Sequence, residues 1–131
     1  VTAPRDYRHF LGDIVKDCRS IIYFTEGMSL DDYLDDEKTR FAVMRGYEIL
    51  GEAVRHIPEA LKSANADIPW RTMAAVRNRI VHGYFGVNDT ILFTTIGEDL
   101  KPCCRASRRW HGHMAYRCSG ERVTLTRQRH L

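Results

Sequence analysis

The chain has 131 residues, 44% of them apolar and 28% charged, with a net charge of +3. That length makes one domain, large enough to bury a core without disulfide support. No apolar run approaches the roughly 20 residues needed to cross a bilayer and no leader-like segment precedes the first helical pattern, which points to a cytosolic protein.

Pro4 announces a first helix, in which Tyr7, Phe10, Leu11, Ile14, Val15, Cys18, Ile21 and Ile22 recur at spacings of three and four up to about Glu26, with a stop at Gly27. Ser29 and Asp32 then form a capping-box pattern for a short second helix carrying Leu30, Tyr33 and Leu34. A third helix is expected from about Asp36 to about Ile57, where Pro58 ends it; its broad apolar face suits the centre of a bundle. Gly46 and Gly51 inside it point to close helix contacts that exclude a side chain. Glu48 and Glu52 lie on the side of Arg45 and Arg55, as ion pairs on a solvated face, or, in the case of Glu52, as a partner for an arginine elsewhere.

After a connecting loop, a fourth helix opens at Pro69 and Trp70 and carries the densest chemistry in the chain: Arg77, Asn78, Arg79, His82 and Tyr84. At about 100° per residue, Trp70, Met73, Val76, Ile80 and Val81 share one apolar arc. Arg77 falls inside that arc. A charge there costs stability unless it is paired, so Arg77 needs a carboxylate or a task. Asn78 and His82, at i and i+4, share the flank beside it. Arg77 and His82 are about 140° apart, so on one straight helix they do not converge. Either the helix end at Gly83 redirects His82 or a second copy of the chain completes the site.

Residues 85–89 read as a turn, with Asp89 as N-cap of a fifth helix to Leu100. Nothing in residues 1–100 alternates as a sheet requires, so the class is an all-α antiparallel bundle of four to five helices. From Lys101 the chain reads as a basic, irregular tail over residues 101–131. It holds Lys101 and seven arginines against Glu121 alone, a balance of +7 that leaves −4 for residues 1–100. A body of that charge handles nucleic acid only through a local cluster, which Arg71, Arg77 and Arg79 supply. Val123 to Thr126 reads as a short strand without a partner. Cys103, Cys104, His111, His113 and Cys118 match no standard zinc spacing, and no metal site is assigned. The four cysteines, Cys18 included, lack paired spacing and read as reduced thiols.

Arg77-x4-His82-x-Tyr84, set in the run IPWRTMAAVRNRIVHGYFGV at residues 68–87, resembles the HepT-type ribonuclease toxins of the HEPN superfamily. Two further blocks are similar to that family, FTEGMS at 24–29 and EILGEA at 48–53, and the resemblance spans about Arg5 to Leu100. It implies a HEPN-type helical domain over residues 1–100, with the tail outside the match. It also implies a metal-independent endoribonuclease without a cofactor, acting as a homodimer in which the Arg-x4-His motifs of two subunits face one cleft. It implies further a type VII-like toxin–antitoxin pair, in which a cognate nucleotidyltransferase antitoxin of the MNT type transfers AMP to the motif tyrosine, here Tyr84.

The residue chemistry fits such an activity. RNA carries its own nucleophile, the 2′-OH, so cleavage needs proton transfer and charge stabilisation at phosphorus. His82 is assigned to proton transfer. The guanidinium fork of Arg77 suits the non-bridging phosphate oxygens. Asn78 orients His82 or the phosphate, Glu52 holds Arg77, and Arg71 and Arg79 are the expected RNA contacts, although Arg79 equally suits a water-facing position. AMP on Tyr84 would place bulk and negative charge where the RNA phosphate must sit. The RNA, a tRNA or an mRNA, is left open. Two other readings compete: a non-catalytic helical module that binds a partner, and an inactivated toxin with an aberrant C-terminus.

Overall fold

A computed structural model describes residues 6–82 and 88–113 of the chain, with side chains to Trp110. All of its regular structure is helical: α1 Tyr7–Phe24, α2 Leu30–Asp35, α3 Glu37–Val54, α4 Glu59–Ala64, α5 Trp70–His82, α6 Asp89–Thr95, a π-helical turn Ile96–Leu100, α7 Lys101–Ala106 and a 3-10 segment Ser107–His113. The all-α bundle read from the sequence is therefore the observed class, with no strand among the described residues. No described helix is long and apolar enough to cross a membrane.

Local side chains set most of the boundaries. Asp6 caps α1 by accepting from the Arg8 N–H at 3.0 Å, later than Pro4 suggested. At the other end the Thr25 hydroxyl donates to Ile21 O at 3.0 Å, and Gly27 takes φ +75°, a conformation open to glycine at little cost. Ser29 and Asp32 complete a reciprocal capping box, at 3.1 and 3.0 Å. Asp36 caps α3 through the Thr39 N–H at 3.0 Å. The third helix ends at Val54, sooner than expected, because Arg55, His56 and Ile57 each donate to the carbonyl three residues back and tighten into a turn.

The stretch read as a loop after Pro58 contains α4. Pro58 sits as its N-cap at φ −59° and ψ 142°, and a proline ring, which lacks an N–H, opens a short helix at little cost. The Trp70 indole closes the loop that follows, donating to Asn65 O at 3.0 Å and Lys62 O at 3.2 Å. Asn88, rather than Asp89, caps α6: its side chain accepts from Thr90 N at 2.9 Å and Ile91 N at 3.3 Å.

α3 lies at the centre, packed on one side by α1 and on the other by α5. The core runs through Leu11, Ile14, Ile21, Tyr33, Val43, Tyr47, Leu50, Val54, Met73 and Leu100, all fully or almost fully buried. Gly46 lets Ile21 of α1 come close, since an added Cβ would meet the isoleucine side chain at 2.7 Å.

The irregular tail expected from Lys101 does not begin there. The helix started at Asp89 continues through the π turn, where the Lys101 N–H donates five residues back to Ile96 O, into α7. Pro102 has no N–H to give, and the wider turn ahead of it is where the ladder adjusts. Cys103, Ser107 and Trp110 are buried, while Lys101, Arg105 and Arg108 are exposed. The two sets are offset by about 160°, which makes this basic segment amphipathic. Trp110 stacks on Trp70 with ring centroids 5.8 Å apart and donates to Asn65 Oδ1 at 3.4 Å. Arg109 is paired with Asp67. The strand read at Val123 to Thr126 lies outside the described residues.

Candidate functional site

The site is built on the face shared by α3 and α5. α5 buries Trp70 and Met73 and half-buries Val76 and Ile80, as its wheel requires, but Val81 of the same arc is exposed. Arg77 lies within that face, its side chain only 20% exposed, and its Nη2 is 3.2 Å from Glu52 Oε2 of α3. A guanidinium so far withdrawn from water needs this carboxylate; the sequence pattern called for one on α3 and left Glu48 and Glu52 as the choices. The two helices meet closely because residue 51 is a glycine: a Cβ there would stand 2.1 Å from Arg77 Cβ.

Glu52 serves three cations or donors at once. Its Oε2 also takes Arg55 Nη1 at 3.3 Å, and its Oε1 lies 3.4 Å from His56 Nε2. Partial burial opposes ionisation of Glu52, but the His56 hydrogen bond and the charges of Arg55 and Arg77 outweigh it and hold the carboxyl below its ordinary value. Glu48, the other acid of this helix, is turned to Arg45 at 3.1 Å and takes no part.

Arg77 Nη1 donates to Asn78 Oδ1 at 3.2 Å, so the amide expected beside His82 is engaged with the arginine. His82 is the last residue of α5 and is exposed. Five residues advance an α-helix by about 7.5 Å and turn it about 140°, and the half-buried Arg77 and open His82 have the different surroundings which that rotation implies. Arg71 and Arg79 are exposed, about 12 Å apart along the axis, at opposite ends of the same helix. Tyr84 lies outside the described residues.

Three participants were not singled out from the sequence as site residues. Gly51 was read as a point of close contact without its partner. His56 and Phe10 were not connected to the site at all, although the i to i+4 spacing from Glu52 to His56 was a visible signal. The Phe10 ring stacks on the His56 imidazole, centroids 4.2 Å apart and planes 13° from parallel. Chemically, the cluster offers a pre-oriented guanidinium fork, an open imidazole and exposed arginines on one helix, a set suited to a phosphodiester. Among the described residues no group of three or more metal-ligating side chains is assembled.

Comparison with known proteins identifies the family of the chain. Residues 14–109 match the family model described as "Ribonuclease HepT-like", which carries the match past Leu100 into the helical segment that holds Trp110 in place. The chain is 42% identical over 96 residues to a "Probable ribonuclease HepT" of Thermococcus cleftensis, covering 73% of this chain and 87% of that protein. It is 40% identical over 92 residues to a "Putative RNase" of Methanocaldococcus jannaschii, covering 70% and 76%. A "Putative RNase" of Caldanaerobacter subterraneus subsp. tengcongensis is 33% identical over 93 residues, covering 71% and 83%. No solved structure matches the chain. With its Arg-x4-His run on α5 and the family match covering that helix and the α3 that braces it, the chain belongs to the ribonuclease HepT-like family of the HEPN superfamily.

Proposed function

We propose that this chain is the toxin of a HEPN/MNT toxin–antitoxin pair and cleaves RNA by metal-independent transesterification. The observation that carries this reading is Arg77: a guanidinium set into the apolar face of α5, held by Glu52 at 3.2 Å, with His82 open on the same helix. In the proposed reaction the RNA 2′-oxygen attacks its own phosphorus, and an imidazole accepts the 2′ proton. Arg77 stabilises the added charge of the pentacoordinate phosphorus. The P–O5′ bond breaks as a second imidazole protonates the leaving oxygen, giving a 2′,3′-cyclic phosphate and a 5′-OH. His82 of two subunits would divide those two roles.

A homodimer would provide the two imidazoles that this division needs. Ile49 on α3 and Val81 on α5 are 37% and 44% exposed, apolar surface on the same two helices that a second copy would cover. Asn78 would steady the Arg77 fork, and Arg71 and Arg79 would take flanking phosphates. Neutralisation by a cognate nucleotidyltransferase antitoxin, through AMP on Tyr84, is what the family resemblance implies for the motif tyrosine, two residues after His82. The added phosphate would occupy Arg77 and repel RNA.

The test is cleavage of total RNA in EDTA by the wild type and by His82→Ala, with the new ends mapped. Cutting by the wild type alone, leaving 2′,3′-cyclic phosphate, is expected. Absence of cutting by a wild-type chain whose mass shows Tyr84 unmodified overturns the proposal and favours a partner-binding module.

A further inference from the structure

Beside the Arg77–Glu52 pair stands an aromatic stack that the cleavage chemistry does not use. His56 lies in the tight turn after α3, and its ring is held twice. Its edge meets Glu52, Nε2 to Oε1 at 3.4 Å, and one face is covered by Phe10 of α1 at 4.2 Å and 13°. An exposed histidine without such contacts samples several rotamers, whereas this one is fixed in orientation. Its side chain still keeps 47% of its surface open. The same carboxylate that holds the imidazole edge holds Arg77 at 3.2 Å and Arg55 at 3.3 Å on its other oxygen. A π surface and two guanidinium groups are thus one carboxylate apart.

Single-stranded RNA presents those two chemistries side by side: an unstacked base, which proteins take on aromatic, histidine or arginine planes, and a phosphate, which they take on cations. We propose that the Phe10–His56 stack is a nucleobase platform, on which a base adjoining the phosphate gripped by Arg77 lies against the open side of His56. The proposal rests on the ribonuclease reading and adds to it a substrate subsite formed by α1 and the end of α3, outside the Arg-x4-His helix. Glu52 then links the two halves of the subsite, holding the phosphate-binding fork with one oxygen and the base-binding ring with the other. Because the ring is pre-oriented, a base loses little by settling on it.

The experiment measures binding of short single-stranded RNAs spanning the mapped cut to a His82→Ala protein, which holds RNA without consuming it. His56→Ala and His56→Tyr are added separately, and each RNA is also made with an abasic nucleotide on either side of the cut. Adding His56→Ala is expected to weaken binding about ten-fold, the size of one stacked base, while His56→Tyr retains most of the affinity. An abasic nucleotide at one flanking position should cost the same about ten-fold and abolish the difference between histidine and alanine at residue 56. Equal binding by the histidine and alanine proteins overturns the platform. So does a loss with His56→Ala that persists unchanged on both abasic RNAs, since His56 then acts only by positioning Glu52. Cleavage by the wild type, assayed in parallel, separates the two ideas: cut RNA with no effect at His56 removes the platform alone, and uncut RNA removes the ribonuclease reading and the platform with it.

Discussion

Gly51 lies directly beneath Arg77. A methyl group on the glycine would stand 2.1 Å from the arginine Cβ, 2.7 Å from its Cγ and 3.0 Å from Met73 O. The contact involves the inflexible root of the side chain and backbone, so the helices themselves would have to part. Glu52 is the next residue of α3, and the glycine thereby sets the distance over which the carboxylate reaches the guanidinium.

Gly51→Ala is therefore expected to be destabilising by about 1–3 kcal/mol through overpacking, against a gain of up to about 1 kcal/mol in helix propensity. Cleavage should fall at least ten-fold as Arg77 is displaced. Gly97→Ala is the control: nothing lies within 4 Å of its added Cβ, and stability should hold or rise slightly. Urea titration and single-turnover cleavage of RNA measure both effects.

Glu52→Gln should separate the two acids of α3. Arg77, 20% exposed, would lose its carboxylate, and an about ten-fold lower kcat is expected with stability reduced by about 1 kcal/mol. Glu48→Gln removes only an open pair with Arg45 and should change stability by less than about 0.5 kcal/mol and leave kcat unaltered. Equal kcat values for the two variants would show that the Glu52 charge is not needed.

Asp17 makes stability depend on pH. Burial, with Asp13 adding to it and Lys16 and Arg45 opposing, raises its carboxyl from 3.8 to about 7, and its Oδ2 is buried without a hydrogen-bond partner among the described residues. The folded chain then holds this proton more tightly than the unfolded one, so the Asp17 contribution is fully present below about pH 4 and is lost as pH rises towards 7. Asp17→Asn, which cannot ionise, should raise Tm by several degrees at pH 8 and change it little at pH 4. Thermal melts at the two pH values test the sign.

Trp110 is 3% exposed, stacked on Trp70 and bonded to Asn65. Trp110→Ala should cost about 3–5 kcal/mol, whereas Arg108→Ala, on the opposite and exposed side, should cost less than about 0.5 kcal/mol. A Trp110→Ala protein as stable as the wild type would mean that the segment after Leu100 lies outside the folded unit in solution.

The helices visible in the sequence were those with local causes: the period of apolar residues in α1, α3 and α5, the capping box at Ser29, the stop at Gly27. Their ends moved by a few residues wherever a side-chain cap such as Asp6 or Asn88 overrode the nearest proline or acid. The short helix α4 and the amphipathic segment around Cys103, Ser107 and Trp110 were missed. The first has fewer than two turns, too few for a period to stand out, and in the second the arginines on the outer side masked the inner one. The tail became helical through burial of Trp110 against Trp70 and Asn65, contacts about 40 residues distant in the chain.

The sequence by itself determined the fold class, the run of chemistry from Arg77 to Tyr84 and the need of Arg77 for a carboxylate, because periodicity and the cost of an unpaired charge act within a few turns of helix. It also narrowed that carboxylate to a single helix. Only the tertiary structure decided that Glu52 rather than Glu48 meets the arginine, that Gly51 permits the meeting and that Phe10 and His56 stand beside it. Those choices depend on the rotation and spacing of three packed helices, and an ångström of helix approach is set by side chains that no local pattern brings together.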